Sequence, residues 1–282
     1  MSTQDHDSVP PQNQLPTTQS HPPDVWADGP AYDAYVGRWS RIVARDFLTW
    51  LAIAPNRHWL EVGCGTGVLT QAILQYAQPA EIQAIDPSLK YVAFAREQVR
   101  DTRVHFDVST VQSLARATSA YDVVVSGLVL NFLPQPQRAL AEMIHATRDG
   151  GTLAAYVWDY AGKMQFMRHF WNAACALNPQ ALDADEGRRF PLCQAQPLAE
   201  LFRAAGLKDV AVQALEIATD FADFEDYWSP FLGGQGPAPS YTMALPEAQR
   251  EALRERLRQS LPFALDGSIP LVARAWAVRG VR

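Results

Sequence analysis

The sequence has 282 residues, enough for one large domain, and its apolar and charged fractions are those of an ordinary globular protein. The net charge is −6, with no block of basic residues, so the charge pattern gives no indication of binding to nucleic acid or to an anionic membrane. No apolar run approaches the roughly 20 residues that span a bilayer, the N-terminus lacks a signal-peptide pattern, and the three cysteines are not spaced as zinc ligands. A cytoplasmic protein without a metal site is expected.

Residues 1–24 are rich in Pro, Gln, Ser and Thr and hold almost no large apolar side chain. Such a segment cannot bury enough surface to offset its ordering entropy, so we predict a disordered tail. Residues 25–282 are predicted to form a single domain. It opens with a helix within 31–52, where apolar residues recur at helical spacing.

Short apolar runs then alternate with amphipathic helical patterns, which predicts a parallel sheet with right-handed crossovers. The predicted strands are 58–62, 81–86, 104–108, 121–126, 152–158, 210–217 and 271–278. The predicted helices are 68–76, 89–99, 137–147, 163–177, 198–205 and 247–261. The helix at 137–147 is expected to stop at Asp149-Gly150-Gly151. Two cap insertions, near 162–195 and 221–267, are expected to interrupt the alternation; the loop 183–191 and the Gly- and Pro-rich segment 233–239 lie within them.

The first strand runs directly into three glycines, Gly63, Gly65 and Gly67, separated by single residues. Such a loop lets a ligand lie on the backbone, because no Cβ blocks the approach and a positive φ costs little. Asp86 follows about twenty residues later at the end of the second strand, where a carboxylate can bond ribose hydroxyls. Together these features predict a nucleoside-containing ligand on a doubly wound sheet.

The register of the glycines separates two families of nucleoside-binding proteins. A dinucleotide fingerprint would place its third glycine at position 68, which is Val68. The observed G-x-G-x-G pattern, preceded by Glu61 in the strand, resembles class I S-adenosylmethionine-dependent methyltransferases. Residues 32–40 are similar to the first helix of ubiquinone-biosynthesis-type and other small-molecule methyltransferases.

This resemblance implies an α/β, Rossmann-like methyltransferase fold, a doubly wound, seven-stranded, mostly parallel sheet with helical cap insertions whose last two strands form an antiparallel hairpin. It also implies S-adenosyl-L-methionine as cofactor and S-adenosyl-L-homocysteine as product. The cofactor-binding residues that it indicates are Tyr35, Arg38, Glu61, Gly63, Cys64, Gly65, Gly67, Asp86, Pro87, Ser88, Thr110, Val111, Ser126 and Gly127.

Within the family resemblance, Glu61 faces the cofactor ammonium, Asp86 binds the ribose and Arg38 pairs with the cofactor carboxylate. Alternatives from the residues themselves are a structural role for Glu61, a helix N-cap for Asp86 and a solvated helix position for Arg38. Thr110 stands where related proteins often carry Asp against the adenine amino group. A hydroxyl can accept the same bond, and the N–H of Val111 can serve the ring.

The acceptor side carries weaker signals. Asn131 follows the fourth strand without the Pro-Pro step of enzymes that methylate DNA bases, and together with the acidic charge this argues against a nucleic-acid substrate. Asp159 and His169 are candidate general bases; Asp159 could instead pair with Arg188 or Arg189. A predicted aromatic lid could equally be ordinary core packing. The predicted substrate-binding residues are Asn131, Trp158, Trp171, Arg189, Phe190, Trp228 and Phe231.

The sequence therefore predicts methyl transfer to a small molecule by in-line displacement, chiefly through positioning of the two reactants. Two other functions stay open: an NAD(P)-dependent oxidoreductase, and a protein that binds the cofactor without methylating. The protein is expected to be a monomer or homodimer with no nucleic-acid or membrane partner.

Overall fold

The computed structural model describes residues 33–116, 120–234 and 236–282. The predicted tail at 1–24 lies outside these residues. In the described part, a seven-stranded sheet has the order β3-β2-β1-β4-β5-β7-β6. The strands are β1 His58–Val62, β2 Glu81–Asp86, β3 Val104–Val108, β4 Tyr121–Gly127, β5 Thr147–Trp158, β6 Lys208–Ala218 and β7 Val272–Val281.

Strands β1 to β5 pair in parallel, and β7 pairs antiparallel with both β5 and β6. The predicted mostly parallel sheet with a terminal antiparallel hairpin is confirmed. Residues 122–126 of β4 and 153–158 of β5 are continuously buried, which requires that the centre of the sheet be covered on both faces. The covering helices also bring their N-termini toward the carboxyl edge of the sheet.

The α-helices of the described residues are α1 Arg38–Leu51, α2 Val68–Tyr76, α3 Leu89–Gln98, α4 Pro136–Ala146, α5 Gln165–Leu177, α6 Glu186–Arg189, α7 Ala195–Ala204, α8 Phe224–Trp228, α9 Pro237–Ala244 and α10 Glu247–Ser260. A π-helical turn, Asp33–Gly37, leads into α1. Short 3₁₀ helices occur at Val111–Arg116, Leu130–Phe132, Pro179–Asp183 and Ser229–Leu232. None of these helices is long and apolar enough to cross a membrane.

Strand β5 begins earlier than predicted. The glycines at 150 and 151 were expected to end α4, but they lie within the strand. Gly150, with φ of +74°, donates its N–H to Arg282, and the N–H of Arg282 donates to Gly151. The partner of this segment is the last residue of the chain, so a local helix-stop signal was overridden by a long-range pairing.

The first cap insertion is tied to the sheet through Asp159, which follows β5. One of its carboxylate oxygens accepts two bonds from the guanidinium of Arg274 on β7, at 2.6 and 2.8 Å. The carboxylate also accepts the backbone N–H groups of Gly162 and Lys163, at 3.1 and 2.9 Å. The alternative of an ion pair for Asp159 is therefore borne out, but the partner is Arg274, 115 residues away, in place of Arg188 or Arg189.

The second cap insertion contains α8, a 3₁₀ turn and α9 before α10. Asp223 supplies the N-cap of α8 by accepting the N–H of Asp226 at 2.9 Å, a local signal for a helix start. The aromatic side chains of the second cap insertion pack against those of α5. The rings of Phe170 on α5 and Phe231 in the second cap stack with centroids 4.4 Å apart. The two caps therefore share an aromatic core.

Replacing Asp159 by Asn is expected to destabilise the protein by about 1–3 kcal/mol, because the substitution removes the charge of a buried carboxylate that accepts bonds from Arg274 and two backbone N–H groups. Thermal unfolding measures this loss. Asp149→Asn serves as the control, since Asp149 is 94% exposed and should change stability by less than about 0.5 kcal/mol. Equal stability of the two variants would contradict the anchoring role.

Candidate active site

A cleft of about 420 Å³ opens at the carboxyl ends of β1, β2, β3 and β4. Ligands on open α/β sheets bind at this edge, beside the point where the strand order reverses, and the volume suits a small molecule. The described residues that line the cleft are Ser40, 61–66, 68, 69, 85–88, 91, 109–112, 127–129, 132–134 and Tyr156. Within the described chain, no group of three or more His, Cys, Asp or Glu side chains could hold a metal ion.

The turn after β1 forms the floor of the cleft. Gly63, Gly65 and Gly67 all have positive φ, +79°, +51° and +86°, a conformation that glycine adopts at little cost. A Cβ on Gly65 would meet no atom within 4 Å, whereas one on Gly63 would lie 2.6 Å from Val129. The turn thus keeps open space above Gly65 while the chain after β4 closes over Gly63.

Gly67 has a different function from the other two glycines. It is not part of the cleft lining, and a Cβ there would lie 3.3 Å from both Ala95 and Val99 at the end of α3. The third glycine therefore allows close packing between the turn and α3. Val68, which breaks the dinucleotide register, is the first residue of α2 and lines the cleft.

Asp86 connects the turn after β1 with the turn after β2. One carboxylate oxygen accepts the N–H of Gly65 at 3.0 Å, and the other accepts the N–H of Ser88 at 2.8 Å. The N-cap of α3 is Ser88, whose hydroxyl accepts the N–H of Tyr91. Each oxygen of Asp86 keeps a free acceptor position, so the carboxylate can also bind hydroxyl groups in the cleft. Burial raises the pKa of Asp86 above its ordinary value.

Glu61 lines the deepest part of the cleft and is only 1% exposed. Thr70 on α2 donates its hydroxyl to the carboxyl group at 2.5 Å. Burial raises the pKa of Glu61 to about 8, the bond from Thr70 partly opposes this, and the nearby Asp86 adds to it. The side chain is therefore largely neutral at pH 7 when no cation faces it.

Residues 109–112 after β3 and Gly127 at the end of β4 complete the side of the cleft, with Thr110 and Val111 among them. Thr66, in the glycine turn, is 6% exposed, and its hydroxyl has no hydrogen-bond partner among the described residues. A buried polar atom without a partner is costly, so a polar group of a ligand in the cleft would stabilise this hydroxyl.

Residues 60–155 match the family described as "Methyltransferase domain". The chain is 32% identical over 149 residues to an uncharacterised protein of Synechococcus sp., covering 51% of this chain and 36% of the relative. It is 25% identical over 174 residues to malonyl-[acyl-carrier protein] O-methyltransferase of Acetivibrio thermocellus, covering 60% of this chain and 59% of the relative. Residues 60–155 therefore form a methyltransferase domain, and these matches support the class I S-adenosylmethionine-dependent methyltransferase family.

The chain spans between about a third and three fifths of the length of these two curated relatives. The fold is shared with phosphoethanolamine N-methyltransferase 2 of Haemonchus contortus, solved with phosphomonomethylethanolamine and S-adenosylhomocysteine. The TM-score is 0.56 at 14% identity, and the superposition covers 89% of this chain and 56% of the other. At this identity the likeness shows the fold.

The cleft of this methyltransferase fits the family's cofactor, S-adenosylmethionine, on three observations. The floor is open above Gly65, Asp86 has acceptor capacity left for ribose hydroxyls, and the Thr66 hydroxyl lacks a partner. The predicted cofactor residues that line the cleft are Glu61, Gly63, Cys64, Gly65, Asp86, Pro87, Ser88, Thr110, Val111 and Gly127.

Two further residues that were predicted to bind the cofactor lie outside the cleft. Tyr35 is buried against the caps, with its hydroxyl 3.0 Å from the sulfur of Met167. The guanidinium of Arg38 pairs with Asp226 at 2.8 Å and lies over the rings of Trp39 and Phe221. Neither residue lines the cleft, because both connect the start of α1 to the second cap, and the expected contact of Arg38 with the cofactor carboxylate is not supported.

Ser126 also lies outside the lining of the cleft. Its hydroxyl donates to the carbonyl of Val62 at 2.9 Å and so links β4 with β1. The position predicted for cofactor contact is therefore a structural bond between the two central strands, while the neighbouring Gly127 faces the cleft.

The two predicted general bases are not part of the described lining. The carboxylate of Asp159 is occupied by Arg274 and two backbone N–H groups. His169 lies on α5, where burial lowers the pKa of its imidazole. Asp159 is thus an anchor for the first cap, and nothing in the geometry gives His169 a position beside the cleft.

The predicted aromatic lid is largely core. Trp158, Trp171, Trp228 and Phe231 are all at most 3% exposed, and the indole N–H of Trp171 donates to Glu186. The alternative of ordinary packing is therefore the better description for these four side chains.

Three other predicted substrate residues lie closer to the cleft. The ring of Phe190 meets the cleft-lining Phe132 edge to face, with centroids 5.0 Å apart, and Arg189 lies over Phe190 at 5.1 Å. Asn131 directly precedes Phe132, and its buried amide nitrogen has no hydrogen-bond partner within the part of the chain that the structure describes. The first cap therefore reaches the rim of the cleft through Phe190.

Sequence reasoning missed several lining residues. Ser40, Leu128, Val129, Leu133 and Tyr156 all line the cleft. All but Ser40 lie on β5 or in the segment that follows β4. The available signal was their position at the carboxyl end of two continuously buried strands, where sheet ligands bind.

Glu61→Gln is expected to stabilise the protein progressively as the pH rises from 4.5 to 8. In this window native Glu61 holds a proton that the unfolded state releases, so the free energy of unfolding of the wild type falls with pH. The difference between variant and wild type should grow by up to about 1.4 kcal/mol per pH unit and level off above pH 8. Urea unfolding at several pH values measures it. Glu97→Gln, at an exposed glutamate of α3, should show no such trend; a pH-independent effect of Glu61→Gln would contradict the buried, neutral carboxyl.

Proposed function

We propose that this protein transfers a methyl group from S-adenosylmethionine to a small-molecule acceptor. The observation that carries the proposal is the pairing of the open glycine turn with Asp86, whose carboxylate bonds Gly65 and Ser88 while keeping acceptor positions directed at the cleft. This arrangement suits a ribose. The glycine register suits an adenosyl group with an attached amino acid, since a dinucleotide fingerprint would place at position 68 the glycine that packs closely the helix carrying the diphosphate.

The cofactor would be held by residues from three neighbouring strand ends. Thr110 and Val111 after β3 suit the adenine, Asp86 after β2 the ribose, and Gly65 and Thr66 after β1 the methionine portion. Glu61 lies below that turn, and an ammonium group opposite it would favour loss of its proton, because a nearby opposite charge lowers the pKa of a carboxyl group.

When bound, S-adenosylmethionine supplies a methyl group already activated by the sulfonium. The chain's own task is therefore to hold the acceptor in line and exclude water, and positioning can contribute about 7–11 kcal/mol in the best intramolecular cases. The apolar segment after β4, with Leu128, Val129, Phe132 and Leu133, lines the side of the cleft that an acceptor would occupy.

The acceptor is proposed to enter at the rim formed by Phe132 and Phe190. The contact between these rings brings the first cap to the cleft, so movement of the cap would change access. One comparison supports a small reacting group: the relative from A. thermocellus is named malonyl-[acyl-carrier protein] O-methyltransferase.

Isothermal titration with S-adenosylhomocysteine and with NADH tests the cofactor. We expect S-adenosylhomocysteine to bind and NADH to show no binding at millimolar concentration. Asp86→Asn should weaken S-adenosylhomocysteine at least about tenfold, because hydrogen bonds to a charged acceptor contribute about 1.5–3 kcal/mol. Asp107→Asn is a matched control at the end of β3, where the exposed carboxylate accepts a bond from the side chain of Gln83.

Binding of NADH in place of S-adenosylhomocysteine would indicate an oxidoreductase. Transfer of labelled methyl groups is then measured against panels of small carboxylic acids, amines and phenols, with tRNA as the nucleic-acid control. Methylation confined to tRNA would contradict the small-molecule assignment, and binding with no transfer to any acceptor would favour a protein that binds the cofactor without methylating.

A further inference from the structure

Tyr156 lies in the cleft, and its position is unusual among the lining residues. It belongs to β5 and pairs with Gly127 of β4. A Cβ built on Gly127 would lie 2.6 Å from the hydroxyl oxygen of Tyr156 and 2.8 Å from its Cζ. Since the ring starts on β5 and ends above β4, it leans along the sheet toward β1. Glycine is needed at position 127 because the phenol occupies the space of a side chain.

The orientation of this ring is fixed from several sides. Tyr156 is only 2% exposed, and its ring packs against Phe47 of α1 with centroids 4.7 Å apart. Its carbonyl accepts the N–H of Leu128 at 2.8 Å, which fastens β5 to the segment after β4. The hydroxyl group is therefore held at a defined point of the cleft.

The strand order locates this point relative to the proposed ligand. From β3 through β2 to β1, the strand ends suit adenine, ribose and the methionine portion in turn, as argued above. Adjacent strands are about 4.8 Å apart. A hydroxyl that leans from β5 over β4 lies beside the β1 turn on the side opposite the ribose. On the proposed function, this side receives the sulfur and its methyl group.

We propose that the hydroxyl oxygen of Tyr156 faces the sulfonium and its methyl group, and so distinguishes the charged methyl donor from the neutral thioether product. A hydroxyl oxygen has two acceptor lone pairs, and C–H groups polarised by an adjacent positive charge can donate weak hydrogen bonds to it. The thioether product carries neither the charge nor the methyl group. The inference rests on the proposed function and names a determinant of donor over product at that same cleft.

Titration calorimetry with S-adenosylmethionine and with S-adenosylhomocysteine tests this proposal without knowledge of the acceptor. Tyr156→Phe removes the oxygen and keeps the ring on Phe47. It should weaken binding of S-adenosylmethionine by about two- to fivefold, the size of a weak hydrogen bond, and leave S-adenosylhomocysteine unchanged. Gly127→Ala, whose Cβ would displace the hydroxyl, should shift the ratio of the two affinities in the same direction.

Tyr227→Phe is the matched control, because Tyr227 is also buried but its hydroxyl donates to the carbonyl of Phe166 within the caps. It should lower thermal stability and leave the affinity ratio unchanged. An unaltered ratio in Tyr156→Phe, or an equal shift in Tyr227→Phe, would overturn the inference while the proposed function stands. A wild-type protein that binds neither compound would overturn both.

Discussion

The carboxylate of Asp86 holds together the two turns from which the active site is built. Its oxygens accept N–H groups from Gly65, after the first strand, and Ser88, after the second. The carbonyl of Ile85 adds bonds from Gly63 and Cys64. These bonds fix a glycine-rich loop in which Cys64 and Thr66 supply the buried side chains. An open ligand site can persist there because the adjacent strand, and not the ligand, sets the shape of the loop.

From this fixed point the order of the strands determines what each part of the cleft can bind. The central strands are buried on both faces, so only their carboxyl ends are available for chemistry. Glu61 shows the cost of that arrangement. Its carboxyl group, near the end of β1 and just before the glycine turn, is desolvated by burial, and its pKa rises to about 8. The ionised form of this carboxyl group is unfavourable when no ligand is bound, and a cationic ligand would stabilise it.

The caps are organised by ion pairs, two of which contain a residue that sequence reasoning assigned to chemistry. Arg38 joins α1 to the second cap through Asp226, and Asp159 joins the first cap to β7 through Arg274. These two pairs connect segments that are distant in the chain. A third pair, between Arg168 on α5 and the buried Asp185 before α6, lies within the first cap. The residues of these ion pairs are therefore distinct from those that line the cleft.

The sequence predicted well where the structure depends on neighbouring residues. β1, β2, β3 and α2 have the predicted bounds, because apolar period and glycine turns are local signals. It failed where distant residues decide: Gly150 and Gly151 pair with the chain end, and Asp159 is occupied by Arg274. Tyr156 could not be found as a lining residue, since its hydroxyl reaches the cleft only by leaning over a glycine on another strand.

Amide hydrogen exchange with and without S-adenosylhomocysteine tests the central claim most directly. The account predicts that exchange slows most in peptides covering residues 60–70 and 84–92, the two turns joined by Asp86, and less in the caps. Protection confined to the caps, or the same protection of these two turns by NADH, would contradict the assignment of the glycine turn to an adenosyl group bearing an amino acid.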